Sequence, residues 1–544
     1  MQIPDEVDYI VVGAGAAGCI VASRLAEDGR ASVCLIEAGG RDSNPWVKVP
    51  IGYARLMNNP KVNWGYSTQP EAGLNGREIR WPRGKLLGGS ASINGLVFLR
   101  GSPGDFDLWE NAGARGWSYA DVLPAFEKLE RCLYPGAEEG RHGFNGPIPV
   151  AIAKRPSAVA QAFVKAALEL GYSYNPDFNG QSLAGAGFLP FNVERGRRHT
   201  SAATYLRPAM RHGAKIHLQL NTLVHRVIFE DRRATGVVIA PQGAGAGRIL
   251  RARREVILCG GAVNSPQLLM LSGIGDAQAL SALGIAPVIH SPQVGRGLQD
   301  HLMARFAFRC TRAVTLNDIM RNPFRIAGMG ARYALSGTGP MAISAAEASL
   351  FVPTQAQPKH IPPSGDPALQ FQVANFSLDS YETGLHPFPG FVYSACVCRP
   401  DSRGEVTLAS SDPHEKPLIA ANYLSETYDQ KAMIEGFRIG RKLAGTRALS
   451  PWIAEELKPG RQVRTDESLI AYIRETASTT FHPCGTVAMG GEQAPLDPSL
   501  RVRGVEGLRV IDAAVMPIIP STNIHAATLM VAERGSAIVR SNGP

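Results

Sequence analysis

Cysteine is sparse in this chain, and its placement suits neither metal nor redox chemistry. Eight cysteines are scattered through 544 residues. Cys396 and Cys398 lie two apart, which fits neither a zinc knuckle nor a CxxC pair. No metal site is expected, and free thiols suit a reducing compartment. No uninterrupted apolar run reaches the roughly 18 residues of a membrane span. Residues 1–6 are acidic and lead straight into a strand pattern, without the basic and apolar regions of a secretory signal. A cytoplasmic location is therefore expected, with peripheral membrane contact left open. The densest basic runs, residues 195–198 and 251–254, have no interleaved aromatics, so nucleic acid is not an expected partner. The formal charge of +9 is mild for this length. These runs read as solvated basic faces.

What is present points to a packed enzyme. Hydrophobic residues make up 44% and charged residues 19%, a globular composition. The length exceeds what one core usually supports, so two domains are expected. The 58 glycines cluster in short motifs, a sign of backbone brought close to a ligand. Residues 8–12 read as a buried strand, 19–27 as a helix and 32–36 as a second buried strand, a βαβ unit. Between the first strand and the helix stands Gly13-Ala-Gly15-Ala16-Ala17-Gly18, followed about 20 residues later by Glu37 and Ala38. Glycines at this spacing permit a tight turn, close approach to a pyrophosphate and close helix–strand packing. The helix N-terminus offers free N–H groups to the diphosphate. Glu37 suits ribose hydroxyls. This unit alone does not separate FAD from NAD.

Further along, residues 120–131 read as a helix. Runs at 215–220, 223–229, 235–239 and 255–258 read as strands, and 264–271 as the start of a helix. Residues 311–400 read as irregular, rich in Pro and Gly, and shape a substrate pocket. Residues 466–479 read as helical.

Two more glycine-rich blocks stand out. One is Pro82-Arg83-Gly84-Lys-Leu-Leu87-Gly88-Gly89-Ser90-Ala-Ser-Ile93-Asn94-Gly95. A flat ring system can lie against such backbone, with Asn94 at its polar edge. The other is Gly261-Ala262-Val-Asn-Ser265-Pro266 through Ser272-Gly-Ile-Gly275, which reads as a second helix terminus able to face a diphosphate.

Together these blocks resemble the two signatures of the glucose–methanol–choline (GMC) oxidoreductase family. The resemblance covers nearly the whole chain and implies an α/β fold. A discontinuous Rossmann-like FAD-binding domain (1–155, 198–305 and 466–544) carries an α+β substrate-binding domain with an antiparallel sheet (156–197 and 306–465). It extends the FAD-binding set to Leu96, Val97, Val224, Cys259, Gly260, Asp512, Ala513, Asn523 and Ile524. Some family members attach FAD through a histidine in the second block. Ile93 stands there, so FAD is expected to be non-covalent.

The C-terminal block holds Thr480-Phe-His482-Pro-Cys-Gly-Thr486 and Pro520-Ser-Thr-Asn523-Ile-His525. By resemblance, His482 is the base that takes the hydroxyl proton while hydride passes to flavin N5, and Asn523 is its partner. Imidazole titrates near working pH, and an amide can orient the hydroxyl. His525 reads as packing behind the flavin, with a second base in the pocket as the rival reading, His301 as structural, and Arg198 as packing near the cofactor. The expected function is FAD-dependent oxidation of a small primary alcohol to the aldehyde, with oxygen, a quinone or another redox carrier as acceptor. Alternatives within the fold are a hydroxynitrile lyase and a light-driven decarboxylase. A non-enzymatic flavin scaffold is a further one, which the intact pair disfavours. Nothing singles out choline, since no aromatic cage is readable.

Overall fold

A computed structural model describes residues 4–138, 140–241, 247–344, 346–359, 365–380 and 383–541. Residues 1–3 of the acidic start lie outside the described residues. The strands Glu6–Val12 and Val33–Ile36 flank the helix Ala16–Leu25. Their apolar runs bury almost every side chain because the sheet is covered on both faces. The sheet runs Ile216–Gln219, Val33–Ile36, Glu6–Val12, Arg248–Leu258, Arg233–Pro241, Thr222–Glu230, with Leu508–Val510 also beside Arg248–Leu258. The pairs among the first four strands are parallel; Arg233–Pro241 runs antiparallel to both neighbours. The C-terminal helix His525–Ser541 packs on Ala16–Leu25, so the last segment of chain closes over the first.

A second sheet is wholly antiparallel: Ile453–Lys458, Leu302–Cys310, Gly390–Val397, Leu369–Ala374, Ala348–Val352, Gly185–Phe188, with Ser478–Thr479 also on Leu302–Cys310. It has its own core, in which Phe306 meets Phe437 at 4.5 Å and Tyr393 at 4.8 Å between ring centroids. Gly440 lies against this cluster because a Cβ there would sit 2.4 Å from the Phe306 ring.

Several expectations change. Residues 311–400 are not irregular. They contribute the helices Leu316–Met320 and Pro323–Ser336 and three inner strands of the second sheet. Those strands are short and buried nearly throughout, so they lack the period-two alternation of a one-sided strand. The helix expected over 120–131 ends at Leu129, and residues 130–132 are a strand. The third glycine block enters its helix at Gly261 rather than 264. The helix expected over 466–479 ends at Thr476, where Ser478–Thr479 joins the second sheet. The run at 251–254 is exposed or half-exposed in its arginines and pairs with acids, Arg251 with Glu230 and Arg253 with Glu6 and Asp8. Arg198 contradicts the solvated reading of the other run. It is 5% exposed.

Candidate active site

A cavity of about 350 Å³ lies where these segments meet. Its lining draws on the ends of the parallel strands, on all three glycine blocks and on the C-terminal block.

The glycines do steric work. Gly13 has φ +100°, and a Cβ there would lie 2.5 Å from the Cys259 carbonyl oxygen. A Cβ on Gly18 would lie 1.8 Å from the Gly13 oxygen. The first two blocks touch through Gly89, whose Cβ would sit 2.7 Å from Gly15 Cα. Gly15 is the N-cap of Ala16–Leu25 and supplies no side-chain cap. The helix thus presents uncapped N–H groups to the cavity, a site suited to a diphosphate. Glu37, at the end of its strand, lines the same cavity. Its Oε2 accepts from Ala14 N at 3.0 Å and its Oε1 from Gly39 N at 2.9 Å. Burial pushes the Glu37 carboxyl up to about 7 against these two donors. A bare glycine cradle, an uncapped helix terminus and an acid beside them fit the adenosine diphosphate part of FAD.

The third block behaves differently from expectation. Asp512 Oδ2 accepts from Gly261 N at 2.8 Å and Ser265 Oγ at 2.6 Å, and Ser265 Oγ accepts from Gly260 N at 3.0 Å. The Gly261 N–H at the terminus of Gly261–Leu271 is therefore already taken by a carboxylate, which leaves this terminus less suited to a diphosphate than that of Ala16–Leu25. Burial raises the Asp512 carboxyl above its ordinary range.

Arg198 clamps the second block. Its guanidinium donates to the carbonyls of Val47 (3.0 Å) and Ala91 (3.1 Å) and to Asn94 Oδ1 (2.5 Å). Asn94 Oδ1 is thus engaged by protein, and Asn94 can offer its amide N–H to the cavity. Arg83 ties the second block to the C-terminal one by donating to the Phe481 carbonyl at 2.8 Å.

The histidines form a chain. His482 follows Phe481, a non-glycine residue at φ +69°, and its N–H donates to Asp300 Oδ1 at 2.7 Å. His301 Nε2 lies 2.6 Å from the Cys398 carbonyl oxygen. A carbonyl only accepts, so Nε2 carries the proton and His301 Nδ1 is an acceptor. His482 Nδ1 lies 3.0 Å from that acceptor and 2.9 Å from Thr480 Oγ1, and it therefore carries the His482 proton. His482 Nε2 is left with a lone pair, 3.0 Å from the Asn523 amide nitrogen, which donates to it. Gln372 fixes that amide by donating to Asn523 Oδ1 at 3.3 Å. Burial, then His301 and Arg83, hold His482 well below the ordinary imidazole value. Burial pushes His301 down to about 4. The chain presents an unprotonated nitrogen, and His482 lines the cavity.

Of the residues expected to bind cofactor, Gly18, Leu87 and Gly88 are not in the cavity wall. Gly18 packs on Gly13 instead, and the Leu87 side chain is buried in the first core. The others expected line the cavity: Gly13, Gly15, Ala16, Ala17, Glu37, Ala38, Arg83, Gly84, Gly89, Ser90, Asn94, Gly95, Leu96, Val97, Val224, Cys259, Gly260, Ala262, Ser265, Asp512, Ala513, Asn523 and Ile524. His525 also lines it. Sequence reasoning missed Tyr53, Trp64, Met303, Ser344 and Gln372 in the wall. None of them stands in a motif. His301, which reads as structural in the sequence, hydrogen-bonds His482 across 181 residues, a contact that no motif marks.

The chain resembles known proteins along its length. Models described as GMC oxidoreductase match residues 7–303 and 400–532. Oxygen-dependent choline dehydrogenase of Brucella melitensis biotype 1 is 39% identical, over 99% of this chain and 96% of its own length. The protein of that name from Sinorhizobium fredii is 37% identical at the same coverage. Among solved structures, a variant of Aspergillus oryzae RIB40 formate oxidase superposes with a TM-score of 0.93 at 27% identity, covering 99% of each chain. Pyridoxine 4-oxidase from Mesorbium loti superposes with a TM-score of 0.88 at 27% identity, over 99% of this chain and 100% of its own.

Proposed function

We propose a reaction for this chain, which belongs to the GMC oxidoreductase family: it oxidises an uncharged primary alcohol to the aldehyde, with FAD bound non-covalently. The observation that carries the reading is the lone pair left on His482 Nε2 by the chain running from the Cys398 carbonyl through His301. Bound FAD supplies the two-electron acceptor for the hydride from the carbinol carbon. His482 Nε2 takes the hydroxyl proton as the C–H electrons leave and the C=O bond forms. The Asn523 amide donates to that nitrogen when no substrate is bound; with the alcohol in place its N–H turns to the hydroxyl oxygen, freeing the lone pair and stabilising the developing charge. Burial keeps His482 unprotonated, so the base is ready at neutral pH. Thr480 and His301 hold the ring and its tautomer, and act as positioning residues.

Gly13, Gly15, Gly89 and Glu37 would hold the adenosine diphosphate. The second block, with Asn94 and Ser90, would hold the ring system. Ile93 lines the cavity and has no nucleophile, which supports non-covalent binding. Acid precipitation should leave the flavin in the supernatant; flavin in the pellet contradicts this part. The relatives' name favours oxygen as acceptor, and reoxidation on admitting air checks it.

The test is anaerobic mixing of the holoenzyme with a panel of primary alcohols. Bleaching of the flavin is expected. Unbleached flavin with a turned-over hydroxynitrile, or turnover of a fatty acid only under light, would transfer the chain to one of the other two chemistries of this fold. His482→Ala should lower kcat/KM by about 10²–10⁴-fold, the usual contribution of a general base.

A further inference from the structure

The helix Pro323–Ser336 has no buried residue, and its apolar stripe faces outward. At helical spacing Phe324, Ala327, Ala331, Ala334 and Leu335 share one side. All five are exposed, Phe324 at 86% and Leu335 at 89%. The opposite side is the half-buried one: Met329 and Gly330 lie there, and Tyr333 donates from its hydroxyl to the Gly196 carbonyl at 2.9 Å. A surface helix of a soluble protein normally turns its polar side to water. A helix of this length with glycines inside it, Gly328 and Gly330, is marginal alone in water. None of the described residues buries the stripe, which is the face expected to meet a partner.

The surrounding charge indicates the kind of partner. Residues 312–341 carry four arginines (312, 321, 325 and 332) and one acid, Asp318. The Asp318 carboxylate is engaged by the backbone N–H and hydroxyl of Thr315. Exposed Arg195 and Arg197 flank Gly196, which abuts Gly337 just past the helix end. A two-fold contact between copies of this chain would set these arginines against one another. An anionic bilayer surface matches both features, with headgroup phosphates for the guanidinium groups and an acyl boundary for the stripe. We propose that Pro323–Ser336 is a docking face for an anionic lipid surface, with Phe324 and Leu335 as its apolar anchors.

The experiment is sedimentation of the holoenzyme with phosphatidylcholine vesicles, with and without phosphatidylglycerol. Binding to the anionic vesicles is expected, weakened by salt, with little on the neutral ones. The double variant Phe324→Asp and Leu335→Asp should reduce the bound fraction about tenfold. Both side chains are exposed and outside the cavity, so flavin absorbance and turnover of a soluble alcohol should stay unchanged. Arg325→Glu with Arg332→Glu should abolish the preference for anionic vesicles. Undiminished binding by the first variant, or equal binding to both vesicle types, overturns the proposal. So does a wild-type dimer in gel filtration that the first variant converts to monomer, since the stripe would then belong to a second copy.

Discussion

At the scale of the residue, His301 is the informative position. It has no need to touch substrate, yet it decides which nitrogen of His482 carries the proton, because its own Nε2 is committed to the Cys398 carbonyl. His301→Ala should lower kcat with little change in KM. It should also move the acid limb of the kcat/KM profile to higher pH, since His301 is one of the groups holding His482 down. An unmoved limb would reduce His301 to packing. The buried neutral histidines also set a stability window. His301 and His525 are held at about 4 in the fold, against an ordinary 6.5. Between those values the unfolded chain takes up protons that the folded chain refuses. Stability is therefore full above about 6.5 and lost as pH falls toward 4. Melting temperature should drop across that window by calorimetry, and His525→Asn should drop less.

At the scale of the element, the contact between two glycine blocks is the tightest constraint on the cofactor. Gly89→Ala would place a methyl 2.7 Å from Gly15 Cα at a residue whose φ is +53°. The second block would have to move off the helix terminus. Flavin per chain should fall sharply, and the melting temperature with it. Gly328→Ala, where nothing lies within 4 Å of the added carbon, should instead stabilise its helix by about 0.5–1 kcal/mol. Elements were legible in the sequence where their function leaves a pattern. The first βαβ unit is spelled out by an apolar run, spaced glycines and an acid. The inner strands of the second sheet carry no such mark, because side chains covered on both faces need only be apolar.

At the scale of the whole molecule, the cavity joins segments hundreds of residues apart. Its wall includes Gln372 and Met303 from the second sheet beside His482 and Asn523. The only carboxylates in the described lining are Glu37 and Asp512, each already accepting hydrogen bonds from protein. A quaternary ammonium would find no free anion there, and only aromatic faces such as Tyr53 and Trp64 to offset its desolvation. Choline should therefore show a much lower kcat/KM than an uncharged primary alcohol of similar size in an oxygen-uptake assay. Equal values would remove the charge argument, although relatives bear choline in their name.

The sequence by itself determined the family, the dinucleotide unit and the histidine that faces the cavity, because each rests on local geometry that only certain residues allow. Glycines at positive φ and an uncapped helix terminus are short-range facts, and they show in the letters. Only the tertiary structure decided that Asp512 caps a helix, that Arg198 is buried on Asn94, and that His301 sets the proton on His482. Those are hydrogen bonds between groups up to 251 residues apart. Their direction depends on which donors and acceptors folding leaves without water.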